Sequence, residues 1–183
     1  GVIGAGVMGE ALITALISYG VNAKEITISE KRTDRADELV SRYGISIEEL
    51  AKNVSSSEIL LLVVKPQDMA GVLGEIRADL KATTSVVSFA ACKKIDFITA
   101  GLGGDTTVIR VMPNTPTLVG AGMAAASMGQ GVTPVQRDFV LGFLGATGWR
   151  QLCSSWTVAA AAAAEVEAAQ MTQQQLGCKQ PAA

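Results

Sequence analysis

Along this chain, short aliphatic runs alternate with longer stretches of helical period. Val2-Ile3 opens as a strand and is followed by an apolar, helix-like stretch from Glu10 to Ser18. Glu25 to Ser29 reads as a second strand, and Thr33 caps a helix that runs to about Tyr43, where Gly44 stops it. From Glu58 a continuous aliphatic run reaches Val64, the pattern of a central strand buried on both faces. Lys65-Pro66 ends it, and Gln67 to about Leu80 follows as a helix. Ser85 to Phe89, Thr107 to Met112 and a last, small-residue run from Val119 to Ser127 read as further strands. Thr133-Pro134 then sets an N-cap and a proline at the first helical position, opening a helix to about Leu144. Alternation of this kind predicts an α/β, Rossmann-type fold, a doubly wound and mostly parallel sheet.

The turn between the first strand and the first helix carries the most specific chemistry. Gly4-Ala5-Gly6-Val7-Met8-Gly9 spells G-x-G-x-x-G. In a dinucleotide-binding turn the first glycine makes the tight bend and the second lets backbone approach a pyrophosphate. The third lets helix pack on strand, and the phosphates rest on the helix N-terminus. Strand before, helix after and Glu30 at 21 positions past Gly9 supply the context the motif requires. A carboxylate at Glu30 accepts hydrogen bonds from an adenosine ribose 2′-OH and favours NAD. Lys31, Arg32 and Arg35 follow at once and suit the 2′-phosphate of NADP, so the local charge is mixed. The plainer reading of these cations is a solvated helix start, with Arg32 and Arg35 paired to Asp34 or Glu38.

Composition narrows the function classes. With 49% hydrophobic and 17% charged residues and a net charge of −2, the chain has the makings of a sizeable core. No basic run exists, and four Phe, two Tyr and two Trp leave little for base stacking, so no nucleic-acid partner is expected. No apolar stretch is long and clean enough to span a membrane, since Ile59 to Val64 is strand length and the Ala-rich end carries Glu165 and Glu167. A soluble, cytoplasmic protein is the expectation. Cys92, Cys153 and Cys178 are odd in number and widely spaced, which suggests neither a disulfide framework nor a metal site. The chain has no histidine, so the commonest general base and the His-dependent nucleophile pairs are missing. That suits hydride transfer, in which a nicotinamide does the difficult step and the protein orients and shields it. Gly1 is not an initiator Met and Val2-Ile3 is short for a strand, so a few residues are expected to precede it, and no leader can be assessed.

Three more loops fall at strand C-termini, the edge at which open α/β sheets take ligands. Val63-Val64-Lys65-Pro66-Gln67 brings an ammonium and free backbone groups, or is simply a charged strand end with Pro starting a helix. Ser88-Phe89-Ala90-Ala91-Cys92 has small residues that allow close backbone approach, or tight packing. Arg110-Val111-Met112-Pro113-Asn114-Thr115-Pro116 sets two prolines around an Asn-Thr pair, an ordered polar loop or a rigid turn in which Asn114 bonds its own backbone.

Taken together, Ile3 to Leu12, Val63 to Asp68, Ser88 to Ala91, Arg110 to Pro116 and Val119 to Gly122 resemble pyrroline-5-carboxylate reductase, and Val132-Thr133-Pro134 with Gln136-Arg137 agrees. The match runs in order over about residues 1 to 148, and its Met-Pro-Asn-Thr-Pro segment is far more specific than the glycine turn. The resemblance implies reduction of 1-pyrroline-5-carboxylate to L-proline with NADPH, or sometimes NADH, the last step of proline biosynthesis. It implies cofactor contacts at Gly4, Ala5, Gly6, Val7, Met8 and Gly9, at Ser29, Glu30, Lys31 and Arg32, at Asn53, at Val63, Val64, Lys65 and Pro66, and at Ala90 and Ala91. Asn114 would lie close to the reacting centre, and Lys65 is a distant proton source or phosphate contact. A cyclic imine is electrophilic once its nitrogen is protonated, and without His a hydroxyl or an ordered water is the more natural proton donor.

The pattern departs from the family after Gly148. There the family continues into a helical domain that builds the dimer and carries a Ser-Gly-Ser-Gly-Pro-Ala-Tyr-like loop for the substrate carboxylate. Residues 149–183 instead run Trp149 to Trp156, then Thr157-Val158, then alanines from Ala159 to Ala164 and a Gln-rich end. We divide the chain into a Rossmann domain at 1–148 and an atypical Ala/Gln-rich, helical or irregular tail at 149–183, with Thr157 to about Leu176 readable as one helix ended by Gly177. Burying Ala releases little free energy, so this tail does not replace the dimer-building domain, and the chain is expected to be monomeric or to associate through surface normally covered. Two classes of function follow: the reductase activity of the family, or a module that holds NADP(H) and turns over nothing. Another Rossmann reductase, such as a β-hydroxyacid dehydrogenase, fits the Met112 to Pro116 segment less well.

Overall fold

The computed structural model describes residues 1–113, 122–146 and 148–152. Within them the elements run β1 (Val2–Ile3), α1 (Val7–Tyr19), β2 (Thr27–Ser29), α2 (Thr33–Tyr43), β3 (Ser46–Ile47), α3 (Leu50–Ser56) and β4 (Ile59–Leu62). They continue with α4 (Met69–Ile76), β5 (Ser85–Ser88), α5 (Ile95–Gly101), β6 (Thr107–Pro113), β7 (Gly122–Met128), α6 (Pro134–Gly145) and β8 (Gly148–Leu152). The strands form a single sheet in the order β3-β2-β1-β4-β5-β6-β7-β8. Neighbours from β3 across to β6 are parallel, β7 is antiparallel to β6, and β8 is parallel to β7. This is the expected mostly parallel, doubly wound α/β architecture. The order reverses at β1, which pairs β2 on one side and β4 on the other. Such a switch point opens a crevice at the strand C-termini.

The period of two explains why the central strands read as unbroken aliphatic runs. Leu61, Val87, Ile109 and Val111 face a core shared with Leu12, Ile13 and Leu16 of α1, Leu39 of α2 and Val140, Phe143 and Leu144 of α6. Leu60, Leu62, Val86 and Val108 face the opposite core, with Val54 of α3, Met69, Val72, Leu73 and Ile76 of α4 and Ile98 of α5. Each strand is therefore apolar on both sides because both faces are covered by helices.

Several boundaries differ from the sequence expectation, each for a local reason. α1 is longer than Glu10 to Ser18, because its first turn starts inside the glycine motif. The second strand begins at Thr27, since Asn22 Oδ1 accepts from Lys24 N at 3.0 Å and folds Ala23–Glu25 into a 3₁₀ turn. The helix expected from Gln67 to Leu80 is confined to Met69–Ile76, because Asp68 N donates to Lys65 O at 3.0 Å and closes a turn first. β7 is not the last strand: β8 follows it, on the outer side of the sheet. The sequence reading missed β3, α3 and α5 altogether. Expectations for Asn114 to Ala121 and for the tail beyond Leu152 fall outside the described residues.

Candidate functional site

The three glycines of the turn meet three different surroundings. Gly4 lies at φ +86, and a Cβ placed there would sit 2.6 Å from the carbonyl oxygen of Val63. Both facts exclude a side chain. A Cβ on Gly9 would be 2.4 Å from Gly4 O, so helix α1 packs directly on the bend. Gly6 differs: a Cβ there meets nothing within 4 Å. Packing explains Gly4 and Gly9, whereas Gly6 is open to the outside of the chain. Gly6 is also the N-cap of α1 and offers no side-chain cap. The N–H groups of Val7, Met8 and Gly9 thus have no intrahelical acceptor, and they face the positive end of the helix dipole. This is the geometry that receives a pyrophosphate.

Hydrogen bonds between loops hold the turn at the switch point. Gly4 N donates to Ser29 O at 3.0 Å, and Val63 N donates to Ile3 O at 2.9 Å. Loops after β1, β2 and β4 therefore share one edge, with Val63 and Val64 half-buried and Lys65 exposed. Phe89 N donates to Leu62 O at 3.0 Å and brings the β5 loop alongside. In that loop Ala90 is buried, and its carbonyl accepts from the Arg110 guanidinium at 3.4 Å. Burial pulls Arg110 down to about 10, partly offset by the neighbouring Cys92. Cys92 is exposed, at φ 59. Val7 is 68% exposed at the start of α1, an apolar surface beside the open Gly6.

On the β2 side, Ser29 Oγ donates to Glu48 O at 2.9 Å and accepts from Asn53 Nδ2 at the same distance. Asn53 itself is wholly buried, and its amide also reaches Val2 O and Thr27 O. It sits under Ser29 as a brace of the loop rather than on the open edge. Glu30 accepts from Ala5 N at 2.7 Å and from Arg32 N at 3.1 Å. Arg32 pairs with Asp34 at 2.6 Å, both side chains about 70% exposed. Lys31 is exposed. Arg35 is drawn inward: it pairs with Glu10 and Glu38 and donates Nε to Ala5 O at 3.3 Å.

Glu10, in the first turn of α1, was read from the sequence only as the start of a helix and is the hub of this side. Arg35, Arg42 and Tyr43 all converge on its carboxylate. Burial by itself raises its pKa, but the hydrogen bonds from Arg35 and Tyr43, with the charges of Arg35 and Arg42, hold it below the usual carboxylate value. An acidic residue one position after the third glycine was the available signal. Its partners lie on α2 and no local pattern reveals them.

A cavity of about 760 Å³ opens at the opposite edge of the sheet, between Thr27, Glu58, Thr83 and Gln136. It is remote from the glycine turn and gathers none of the expected site residues. Among the described residues no group of His, Cys, Asp or Glu is arranged to hold a metal ion, and no helix is long and apolar enough to cross a membrane.

Residues 1–92, half of the chain, match the family described as NADP oxidoreductase, coenzyme F420-dependent. The chain belongs to that family. The matched segment spans β1 to the β5 loop. Its sequence is 36% identical over 151 residues to a pyrroline-5-carboxylate reductase of Corynebacterium melassecola, covering 80% of this chain and 56% of that protein. Its fold is that of a pyrroline-5-carboxylate reductase from Coxiella burnetii, with a TM-score of 0.81 at 24% identity over 96% of this chain and 70% of the other. A Plasmodium falciparum pyrroline carboxylate reductase with NADP bound gives 0.76 at 19% identity, over 100% and 70%. The likeness to pyrroline-5-carboxylate reductases read from the motifs therefore holds for the nucleotide-binding portion. The chain spans about half the length of the curated relatives it matches.

Proposed function

We propose that this chain is the nucleotide-binding portion of a pyrroline-5-carboxylate reductase, taking NADPH, with NADH as the alternative, to reduce 1-pyrroline-5-carboxylate to L-proline in the cytoplasm. The observation that carries the cofactor half is the uncapped N-terminus of α1 at the open Gly6, between two glycines that packing explains. When bound, the nicotinamide supplies the hydride. The chain's own residues do the rest. The α1 N-terminus would hold the pyrophosphate, and exposed Lys31 and Arg32 would meet the 2′-phosphate. The Val63 to Pro66 and Ala90-Ala91 loops would take the nicotinamide, where their small or apolar residues would exclude water. The resemblance assigns Asn114 to the reacting centre, and Lys65 would act at a distance on a phosphate or on a proton path to the imine nitrogen.

The substrate half rests on the likeness to the relatives. Residues 149–183 contain no Ser-Gly-Ser-Gly-Pro-Ala-Tyr-like loop. Purified chain titrated with NADPH, then supplied with 1-pyrroline-5-carboxylate while NADPH absorbance and proline are followed, tests both halves. Saturable NADPH binding without proline formation is expected of residues 1–183. Proline formation by these residues would show that they build a substrate site unlike the family's loop. Absence of any NADPH or NADH binding would overturn the reading.

A further inference from the structure

The bond pattern around Ala5 assigns two residues a task that the acidic position after β2 does not usually have. Ala5 is wholly buried between Gly4 and Gly6, and both of its backbone polar groups are gripped by side chains from the β2–α2 region. Its N–H donates to Glu30 Oε2 at 2.7 Å, and its carbonyl accepts from Arg35 Nε at 3.3 Å. The other oxygen of Glu30 accepts from Arg32 N at 3.1 Å, so a single carboxylate joins the β1 loop to the β2 loop. Arg35 is fixed in turn by Glu10 and Glu38, with 16% of its side chain exposed.

We propose that Glu30 and Arg35 are positioning residues that clamp the Ala5 peptide and so set the orientation of the phosphate turn, rather than readers of the ribose 2′ position. This rests on the dinucleotide reading above and deepens it. A residue between two glycines has little intrinsic rigidity, since neither neighbour restricts the backbone. Its N–H lies in the peptide to Gly4 and its C=O in the peptide to Gly6, so holding both removes that freedom before the ligand arrives, and preorganisation lowers the cost of binding. Two consequences follow. The Ala5 N–H is already committed, which leaves the first-turn amides of α1 for the pyrophosphate. Arg35 is committed as well, which leaves Lys31 and Arg32 as the cations able to turn toward a 2′-phosphate. The Arg32–Asp34 pair is largely exposed and therefore easily surrendered.

The test compares NADPH, NADH and adenosine 2′-monophosphate, which lacks a pyrophosphate, on the unmutated chain and on Glu30→Ala, Glu30→Gln and Arg35→Lys, each below its melting temperature. Glu30→Ala is expected to weaken NADPH and NADH alike, by about tenfold, with their ratio kept within about twofold, because both share the pyrophosphate. Adenosine 2′-monophosphate should not share this loss, since it has no pyrophosphate to engage the phosphate turn. Glu30→Gln, which keeps one acceptor oxygen, should recover part of the loss, and Arg35→Lys should show the same non-selective weakening. Loss of fold stability alone would leave the affinities of the folded protein untouched, so it cannot imitate this pattern. Movement of the NADPH to NADH ratio by more than about fivefold in Glu30→Ala would make Glu30 a reader of the 2′ position and overturn the proposal. Unaltered NADPH affinity in both Glu30→Ala and Arg35→Lys would overturn it too. Failure of the unmutated chain to bind either dinucleotide would instead sink the underlying reading and the proposal with it.

Discussion

Alanine placed singly at Gly6 and at Gly9 should separate cofactor approach from folding within one turn. At Gly6 the new methyl group meets no protein atom within 4 Å, and the backbone lies at φ −64, a value any residue adopts. Restricting the unfolded chain gains about 0.4–1 kcal/mol. Ala is a poorer N-cap than Gly by a roughly similar amount, so the net change in stability should be within about 0.5 kcal/mol. At Gly9 the methyl carbon would lie 2.4 Å from a backbone oxygen, where ordinary contact begins at 3.4 Å. That shortfall must be met by moving α1 away from the bend, an overpacking cost of about 2–3 kcal/mol. For a chain of this size that is a fall in melting temperature of roughly 5–10 °C. Binding should follow the reverse order: Gly6→Ala puts its methyl in the path of the pyrophosphate and loses at least about tenfold in NADPH affinity, about 1.4 kcal/mol. Thermal melting without cofactor and a fluorescence titration with NADPH read the two quantities independently. Gly6→Ala melting as low as Gly9→Ala while binding NADPH normally would refute the assignment of the open space to the cofactor.

Three further outcomes follow from the packing. Glu10 is held below its usual pKa by its Arg35, Tyr43 and Arg42 partners, so its stabilisation is complete above the unfolded value and is lost as pH falls through the lower folded value. Glu10→Gln should cost about 1–3 kcal/mol at neutral pH and flatten the acid limb of a stability-against-pH curve, and an unchanged acid limb would remove Glu10 from that role. Asn53→Ala strips a buried amide from Val2 O, Thr27 O and Ser29 Oγ and should cost about 2–3 kcal/mol in denaturant melts. Thr133 Oγ1 accepts from Gln136 N while Gln136 Oε1 accepts from Thr133 N, a closed capping box, and Thr133→Ala should cost about 1 kcal/mol with no effect on cofactor affinity.

Much of the fold and of the strand C-terminal edge was legible because its signals are local. The glycine spacing, the aliphatic run ending at Lys65-Pro66 and the Thr133-Pro134 cap each depend on residues within one turn or strand of each other. What stayed hidden was set by distant partners. β3 has two exposed residues and exists only because β2 offers it an edge, so no hydrophobic pattern announces it. Glu30 sits where a ribose ligand is expected, yet its bond to Ala5 spans 25 positions and turns the same carboxylate into a clamp. Asn53 was drawn to the cofactor edge by resemblance, whereas its environment is a buried polar network beneath Ser29. The mixed charge of Lys31, Arg32 and Arg35 could not be sorted from order alone. Glu10, 25 positions away on α1, joins Glu38, one helical turn along α2, in drawing Arg35 inward, while Arg32 pairs outward with Asp34.

The central claim is that a dinucleotide lies across the strand C-termini with its pyrophosphate on the N-terminus of α1. Backbone amide shifts of the isotopically labelled chain on adding NADPH test it most directly. The account predicts the largest changes at Gly6, Val7 and Met8, accompanied by Glu30 to Arg32, Val63 to Lys65 and Ala90-Ala91, with Thr27, Glu58, Thr83 and Gln136 around the opposite cavity unmoved. Shifts concentrated on that cavity, with Gly6 to Met8 silent, would contradict it.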